Sequence, residues 1–195
     1  ALVGGSLVAL LVVAGVQIYA LYGSMMTDRR EMVRNQIQSA TAMVKAIAEE
    51  AKAGRMSTEE AQRVAKAMLT AMRFNDTDYF VVIDTKQESQ GAVIAHPNPK
   101  LLGQNLWGST DANGVPFVVG QVESARKGGG FTDYEFPRLG EDKPSPKVAY
   151  TDGFAPWNWA ISASLYVDDV TNAFYGQLAR MALWVLPLIA LIAGA

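Results

Sequence analysis

Few side chains in this 195-residue chain could carry out covalent or metal chemistry. It contains no cysteine and a single histidine, His96. Without thiolates there is neither a disulfide framework nor a cysteine-based metal site, and one imidazole argues against a histidine-based zinc site. A serine hydrolase would need a serine and an aspartate to converge on His96, yet the only trace of a Gly-x-Ser-x-Gly motif is the fragment Trp107-Gly108-Ser109. The residue types therefore favour binding over catalysis, and we expect neither a metal nor a cofactor.

His96 occupies a position at which a binding residue is expected. It ends the apolar run Ala92–His96 and precedes Pro97, which ends the predicted strand because proline cannot donate to a strand ladder. Binding pockets open at strand ends. As a ligand contact, the imidazole would be a donor whose protonation follows pH around ~6.5. A purely structural histidine is the alternative.

One short motif has the residue types of a cation loop. Asp111-Ala112-Asn113-Gly114 resembles part of a calcium-binding loop, but the remaining ligands and the closing glutamate are absent. Asp, Asn and Gly are also the residues that tight turns require. The segment therefore predicts a turn.

A long helix precedes the predicted strands. Apolar residues recur at alternating spacings of four and three from residue 33 onwards, at Val33, Ile37, Ala40, Val44, Ile47 and Ala51. This places them on one stripe of a helix that extends from Thr27 to Lys52. Such a stripe packs on the chain's own sheet or on a second copy of the chain, and the pattern alone leaves both open. No glycine or proline separates Met25 from Ala53, so a preceding helix would continue directly into this one. Gly54 is a stop signal for the long helix, and Ser57-Thr58-Glu59-Glu60 has the pattern of a capping box that begins a second helix.

After Arg73 the pattern becomes typical of strands. The predicted strands are Tyr79–Asp84, Ala92–His96, Phe131–Phe136, Lys147–Phe154 and Trp159–Tyr166. A short helix is expected over Val115–Lys127, a solvent-exposed loop over Pro137–Pro146, and an exit helix from Asp168. Consecutive strands with tight connections indicate an antiparallel sheet of about five strands with the long helix on one face. The fold class is α+β.

The two ends of the chain carry no charge. All 17 basic and all 19 acidic residues lie between Asp28 and Arg180. A bilayer core of ~30 Å needs about 20 apolar helical residues. We therefore predict a transmembrane helix at 1–26, an extracytoplasmic domain at 27–178 and the start of a second transmembrane helix at 179–195. A signal peptide fits less well because no basic residue precedes the first apolar run. The abrupt ends suggest a fragment.

A series of motifs resembles the single Cache sensor family, in the order and at the spacing of that family. The motifs are Asp78-Tyr79-Phe80, Ala95-His96-Pro97-Asn98-Pro99-Lys100, Gly103-Gln104-Asn105-Leu106-Trp107, Asp111-Ala112-Asn113-Gly114, Lys127-Gly128-Gly129-Gly130-Phe131, Lys147-Val148-Ala149-Tyr150, Trp157-Asn158-Trp159 and Leu165-Tyr166-Val167-Asp168-Asp169. One departure is visible: Ser162-Ala163-Ser164 precedes Leu165-Tyr166 where members usually carry Thr-Gly. Ligand preference is expected to differ accordingly.

The resemblance implies a PAS-like Cache domain that serves as the extracytoplasmic sensor of a chemotaxis protein in the bacterial inner (plasma) membrane. Many members bind small carboxylic acids such as acetate, propionate, pyruvate or lactate. The expected function is thus a chemoreceptor that signals through the exit helix into the second transmembrane helix. The expected partners are a small carboxylate, the membrane, a second copy in a homodimer, and cytoplasmic signalling proteins reached through a missing C-terminal part. The net charge of −2 shows no excess of basic residues that would bind nucleic acid. The sensor region of a histidine kinase or nucleotide cyclase is the alternative.

Under that resemblance, a buried carboxylate needs a compensating charge and several donors. Lys147 opens a strand and matches the family's lysine, and Tyr150 offers a phenolic donor on the same strand. Because they are three residues apart, alternation places them on opposite faces. Both reach one pocket only if the strand begins irregularly after Pro146 or the lysine extends round the edge. Trp107 and Tyr134 are candidate pocket walls, with core packing as the alternative.

Overall fold

Residues 2–74 and 78–193 are described by a computed structural model, without the side chains of residues 2–8, 10, 188, 189 and 191–193. The helices are α1 (Leu2–Lys52), α2 (Thr58–Ala71), α3 (Phe117–Arg126) and α4 (Asp168–Ala193). The strands are β1 (Arg73–Phe74), β2 (Asp78–Asp84), β3 (Val93–Ala95), β4 (Gly130–Pro137), β5 (Pro144–Phe154) and β6 (Trp159–Tyr166). The order of elements follows the prediction, with the two-residue strand β1 in addition.

The end of α1 and the start of α2 agree with the sequence signals. The N-terminal apolar segment continues into the charged part as the single helix α1, and Gly54, at φ +75°, follows its end. Ser57 caps α2, since its side chain accepts a hydrogen bond of 3.1 Å from the Glu60 N–H. Helix α3 is shorter than predicted because it starts after Pro116 and stops before Gly128, which has φ +87°.

The sheet is antiparallel in every described pair, with the order β1-β2-β6-β5-β4 and β3 beside β2. The predicted loop at 137–146 is wrong in extent, because β4 and β5 remain paired up to Pro137 and Pro144. The prolines of β5, Pro144 and Pro146, lie in the part of the strand that has no partner in β6, because β6 ends at the level of Lys147, where Tyr166 pairs with it. Beyond that level β5 has a free edge, and proline is tolerated where no ladder partner needs its N–H.

The two faces of the sheet are covered differently. On one face, α1 contributes Arg30, which is 2.7 Å from Asp133 of β4, and Arg34, whose Cζ lies 5.3 Å from the ring centroid of Phe131. The helical stripe is buried as predicted, with Val33, Ile37, Ala40 and Val44 all inaccessible. Helix α3 covers the other face, where Val118 and Val122 pack with Ile83 and Ala160.

The chain divides into two units. Residues 29–166 form the first, and the remaining parts of α1 and α4 form the second, in which the rings of Tyr22 and Phe174 meet at 5.2 Å. No helix in the described residues has a stretch long and apolar enough to span a membrane. The transmembrane helices at 1–26 and 179–195 therefore stay predictions. Residues 1, 194 and 195 of those segments lie outside the described residues.

Candidate functional site

A small cavity lies between helix α3 and the sheet. It forms because the residues of β6 that face α3 are small: Ala160, Ser162 and Ser164 alternate along one side of this strand. The cavity volume is about 40 Å³. One buried water needs ~10–15 Å³, so the cavity accommodates only a few non-hydrogen atoms. Its lining residues are Tyr79, Val81, Ile83, Val93, His96, Leu101, Leu106, Phe117, Val118, Gln121, Tyr134, Phe136, Ser162, Ala163 and Ser164.

Helix α3 forms one wall of the cavity, which is called the roof here, and its close packing on the sheet fixes its position. A side chain at Gly153 of β5 would collide with the Ala125 carbonyl of α3, so glycine permits the close approach of the helix. At the start of α3, the Phe117 ring is stacked on Tyr134, with centroids 4.9 Å apart and planes at 7°. The roof is thereby held by aromatic packing as well as by the backbone.

Lys147 is a buried cation beside this cavity. Only 3 % of the residue is exposed. Its Cα partners are Tyr134 on β4 and Tyr166 on β6, and its Nζ lies 4.8 Å from the ring centroid of Tyr79 and 4.3 Å from that of Tyr166. Two aromatic faces thus take the place of water around the ammonium group.

The surroundings of Lys147 disfavour its positive charge. Burial lowers the pKa of the amine to about 7, the carboxylate of Asp78 partly offsets this effect, and the positive charge of Arg138 lowers the pKa further. An anion in the cavity would supply the compensation that the protein provides only in part. The site is therefore electrostatically suited to a negatively charged ligand.

His96 is held neutral with a defined tautomer. Its Nδ1 accepts a hydrogen bond of 2.8 Å from the Asn98 N–H, so the proton of the neutral ring is on Nε2. Burial, followed by the charge of Lys147, lowers the pKa of the imidazole to about 4. The expectation that its protonation follows pH around 6.5 is therefore wrong, because the buried ring lies close to a cation. His96 is a constant N–H donor.

Three polar side chains form a second group in the cavity, the Tyr134 cluster (Gln121, Tyr134 and Ser164). The Tyr134 hydroxyl lies 3.5 Å from the Ser164 Oγ and also hydrogen-bonds Gln121. Burial raises the pKa of Tyr134, so its hydroxyl keeps its proton. The cluster joins α3, β4 and β6 across the cavity.

Of the five predicted ligand residues, the structure brings His96 and Tyr134 into the cavity wall and Lys147 next to it. Trp107 packs against the hydrophobic cluster below α3 and is not part of the lining. Tyr150 lies on the opposite face of the sheet, where Arg34 of α1 lies 5.6 Å from its ring centroid. Strand β5 is regular from Pro144 onwards, so alternation keeps Lys147 and Tyr150 apart.

Sequence reasoning did not select Tyr79, Gln121, Ser164 or Tyr166 as site residues. Tyr79 and Tyr166 contact Lys147 only because β2, β6 and β5 are neighbours in space. Burial raises the pKa of both phenols, so they are neutral. The turn predicted at Asp111 is confirmed: its carboxylate accepts from Asn113, Val115 and Glu135 N–H groups at 2.8–2.9 Å and attaches the loop to β4.

The polar groups around the cavity are ones that can form ion pairs and hydrogen bonds with a ligand. It combines one buried cation, one neutral imidazole donor and a set of hydroxyl and amide groups within an apolar wall. Across residues 2–74 and 78–193, no three acidic or histidine side chains are grouped so that they could hold a metal ion. An apolar wall with a few polar groups is typical of a pocket for a small molecule.

Known proteins with similar sequences include chemotaxis receptors. The methyl-accepting chemotaxis protein McpP of Pseudomonas putida is 33% identical over 179 residues, which are 90% of this chain and 32% of that protein. The sensor histidine kinase MctS of Rhizobium johnstonii is 26% identical over 113 residues, covering 57% of this chain and 24% of the kinase. The chain thus spans a third or less of the length of these relatives.

Two solved structures share the fold. The periplasmic sensor domain of a chemotaxis protein is 35% identical with a TM-score of 0.69, covering 73% of this chain and 98% of that one. A Cache chemosensory domain, solved as a structural basis for carboxylic acid recognition, is 28% identical with a TM-score of 0.68, covering 74% and 97%. Residues 25–180 match the model of the family described as single Cache domain 2, and this chain belongs to that family.

Proposed function

We propose that this chain is the ligand-binding region of a transmembrane chemoreceptor, and that it senses a small carboxylic acid in the cavity below α3. The observation that carries the proposal is the burial of Lys147, which is 3 % exposed, beside a cavity lined by His96 and Tyr134. A buried ammonium group without full compensation is unfavourable. A carboxylate ligand would remove that cost, so burial of the lysine favours ligand binding.

The cavity volume limits the size of the acid. At about 40 Å³ it has room for the few non-hydrogen atoms that extend beyond the carboxylate of a short acid such as acetate, propionate, pyruvate or lactate, while the carboxylate itself would lie at Lys147 beside the cavity. The carboxylate would lie between the Lys147 ammonium and the His96 Nε2–H, with Tyr134 in the wall of the cavity. Trp107 would support the roof from behind, and Tyr150 would hold β5 against α1. The carboxylic acid recognition of the similar Cache chemosensory domain supports this ligand class.

The signal would leave the domain at the end of β6. Tyr166 contacts the Lys147 ammonium and is followed, after one residue, by the first residue of α4. Ligand binding would change this contact and shift the population of two positions of the exit helix. In this proposal, residues 1–26 and 179–195 are membrane helices, 27–178 is an extracytoplasmic sensor domain in the bacterial inner membrane, and two copies form a homodimer. Cytoplasmic signalling proteins would receive the output.

A second candidate is the sensor region of a histidine kinase. The observation in its favour is the 26% identity to the sensor histidine kinase of R. johnstonii. The greater identity and coverage of the chemotaxis protein favour the chemoreceptor. The coding sequence after Ala195 distinguishes the two, because a kinase core and a methyl-accepting signalling domain have different motifs.

Calorimetric titration of the full chain in mild detergent with acetate, propionate, pyruvate and lactate tests the ligand assignment. We expect saturable binding of at least one acid and its loss in Lys147→Ala. Lys143→Ala is the matched control, since Lys143 is an exposed lysine in the β4–β5 turn. Absence of binding to all four acids, or unchanged binding in Lys147→Ala, would contradict the proposal.

A further inference from the structure

The Tyr134 cluster retains hydrogen-bonding capacity. Gln121 and Ser164 are 5 % and 6 % exposed, so water contributes little to their hydrogen bonding. The distance from the Tyr134 hydroxyl to the Ser164 Oγ is 3.5 Å. A good O–H···O bond is ~2.7–2.8 Å long, and the contact is therefore weak. Both hydroxyls could form a better bond with an oxygen atom placed in the cavity.

By contrast, the neighbouring Ser162 is already bonded. Its Oγ accepts a short hydrogen bond of 2.9 Å from the Thr151 hydroxyl, whereas its contact with the Tyr150 carbonyl, at 3.5 Å, is as long as that between Tyr134 and Ser164. Ser162 and Ser164 are on the same strand and line the same cavity. They differ because Ser164, unlike Ser162, belongs to the Tyr134 cluster, whose hydroxyl groups can still form better hydrogen bonds.

A plain alkyl carboxylate does not use the Tyr134 cluster. The two carboxylate oxygens find donors in the Lys147 ammonium and the His96 Nε2–H. The apolar lining, which includes Val81, Leu106 and Val118, suits a methyl group. A methylene group placed against the cluster instead would leave buried hydroxyl and amide groups with poor partners, which is unfavourable.

The position of the Tyr134 cluster fits a second oxygen atom of the ligand that lies close to the carboxylate. Tyr134 is the Cα partner of Lys147, so the cluster is adjacent to the cation. In a 2-hydroxy or 2-oxo acid, the second oxygen is on the carbon next to the carboxylate. We propose that the cavity recognises a short acid with an oxygen on carbon 2, and that Ser164, Tyr134 and Gln121 bind this oxygen. The inference depends on the proposed function, since it assumes that the carboxylate lies at Lys147.

The test is a calorimetric comparison of acids with the same number of carbon atoms. Propionate, lactate and pyruvate are titrated separately into the full chain in mild detergent. We expect lactate or pyruvate to bind about tenfold more tightly than propionate, as one good buried hydrogen bond provides. Ser164→Ala should reduce this preference more than the matched variant Ser162→Ala does, because the Ser162 hydroxyl already has a short hydrogen bond with Thr151.

The outcomes separate this inference from the proposed function. Propionate binding as tight as that of lactate and pyruvate would overturn the inference and leave the carboxylate site intact. An unchanged preference in both Ser164→Ala and Tyr134→Phe would also overturn it. Failure of these three acids and of acetate to bind would overturn the proposed function itself. Thermal unfolding of each variant verifies that it is folded, and the comparison in the unsubstituted chain does not depend on any variant.

Discussion

The ammonium group of Lys147 lies 4.3 Å from the ring centroid of Tyr166, the last residue of β6. The guanidinium carbon of Arg138 lies 3.9 Å from the centroid of the same ring, and the Tyr166 hydroxyl donates to the Pro137 carbonyl at 2.8 Å. The ring thus connects the buried cation to the β4–β5 turn. A change in the charge or position of the Lys147 ammonium therefore acts directly on the residue from which the chain leaves the sheet.

The titration of Lys147 leads to a first prediction, on the pH dependence of ligand binding. With a pKa of about 7 in the free protein, the amine loses its proton just above neutral pH. A bound carboxylate favours the charged amine, so binding above this pH requires proton uptake. The association constant for lactate should fall by only about twofold between pH 6 and 7 and more steeply above it, by at most about tenfold per pH unit.

Calorimetry at pH 6, 7, 8 and 9, in buffers of different ionisation enthalpy, measures both the affinity and the proton uptake. Lys147→Arg is the control, because a guanidinium group stays charged throughout this range. If it binds, its affinity should not vary with pH. A constant affinity of the unsubstituted chain from pH 6 to 9 would show that the lysine charge does not take part in binding.

The same buried amine predicts a pH-dependent stability without ligand. Its folded pKa lies below the ordinary value of 10.5, so between about 7 and 10.5 the unfolded chain binds more protons. The free energy of unfolding should therefore rise with pH over this window, relative to Lys147→Met, by at most about 1.4 kcal/mol per pH unit. The slope is the informative quantity, since the variant also changes the packing around residue 147 at every pH. Urea unfolding at pH 7, 8 and 9 measures it, and parallel curves would contradict the prediction.

The alternation of side chains along a strand predicted which residues of one strand lie on the same face of the sheet. Alternation places Lys147 and Tyr150 on opposite faces, and the structure has them there. The contacts of Lys147 with Tyr79 and Tyr166 depend on β6 lying between β2 and β5, and strand order is a long-range property that local patterns do not contain. The same holds for Gln121, which reaches the cavity only because Gly153 allows α3 to lie close to the sheet.

Acid should destabilise the domain through His96. The folded pKa of about 4 is below the ordinary value of 6.5, so the unfolded state alone takes up a proton between these values. Stability should be lost as the pH falls through this window, by at most about 1.4 kcal/mol per pH unit. His96→Asn should lack this contribution. Urea unfolding of both proteins at pH 6.5, 5.5 and 4.5 tests this, and an equal acid sensitivity would mean that His96 is not kept neutral by the fold.

The close approach of α3 gives a final prediction, on the integrity of the cavity roof. In Gly153→Ala the new methyl group would meet the Ala125 carbonyl, which cannot rotate away as a side chain could. Helix α3 must then move, together with Phe117 and Gln121. We expect a loss of about 1–3 kcal/mol in the free energy of unfolding, typical of overpacking, together with weaker acid binding. Gly108→Ala is the matched control, since nothing lies within 4 Å of its new methyl group, and its stability should change by less than about 0.5 kcal/mol. Urea unfolding and calorimetry compare the two variants. Equal stability and binding would mean that the roof tolerates displacement, and that the polar groups of the cavity are not held by the packing of α3 on β5.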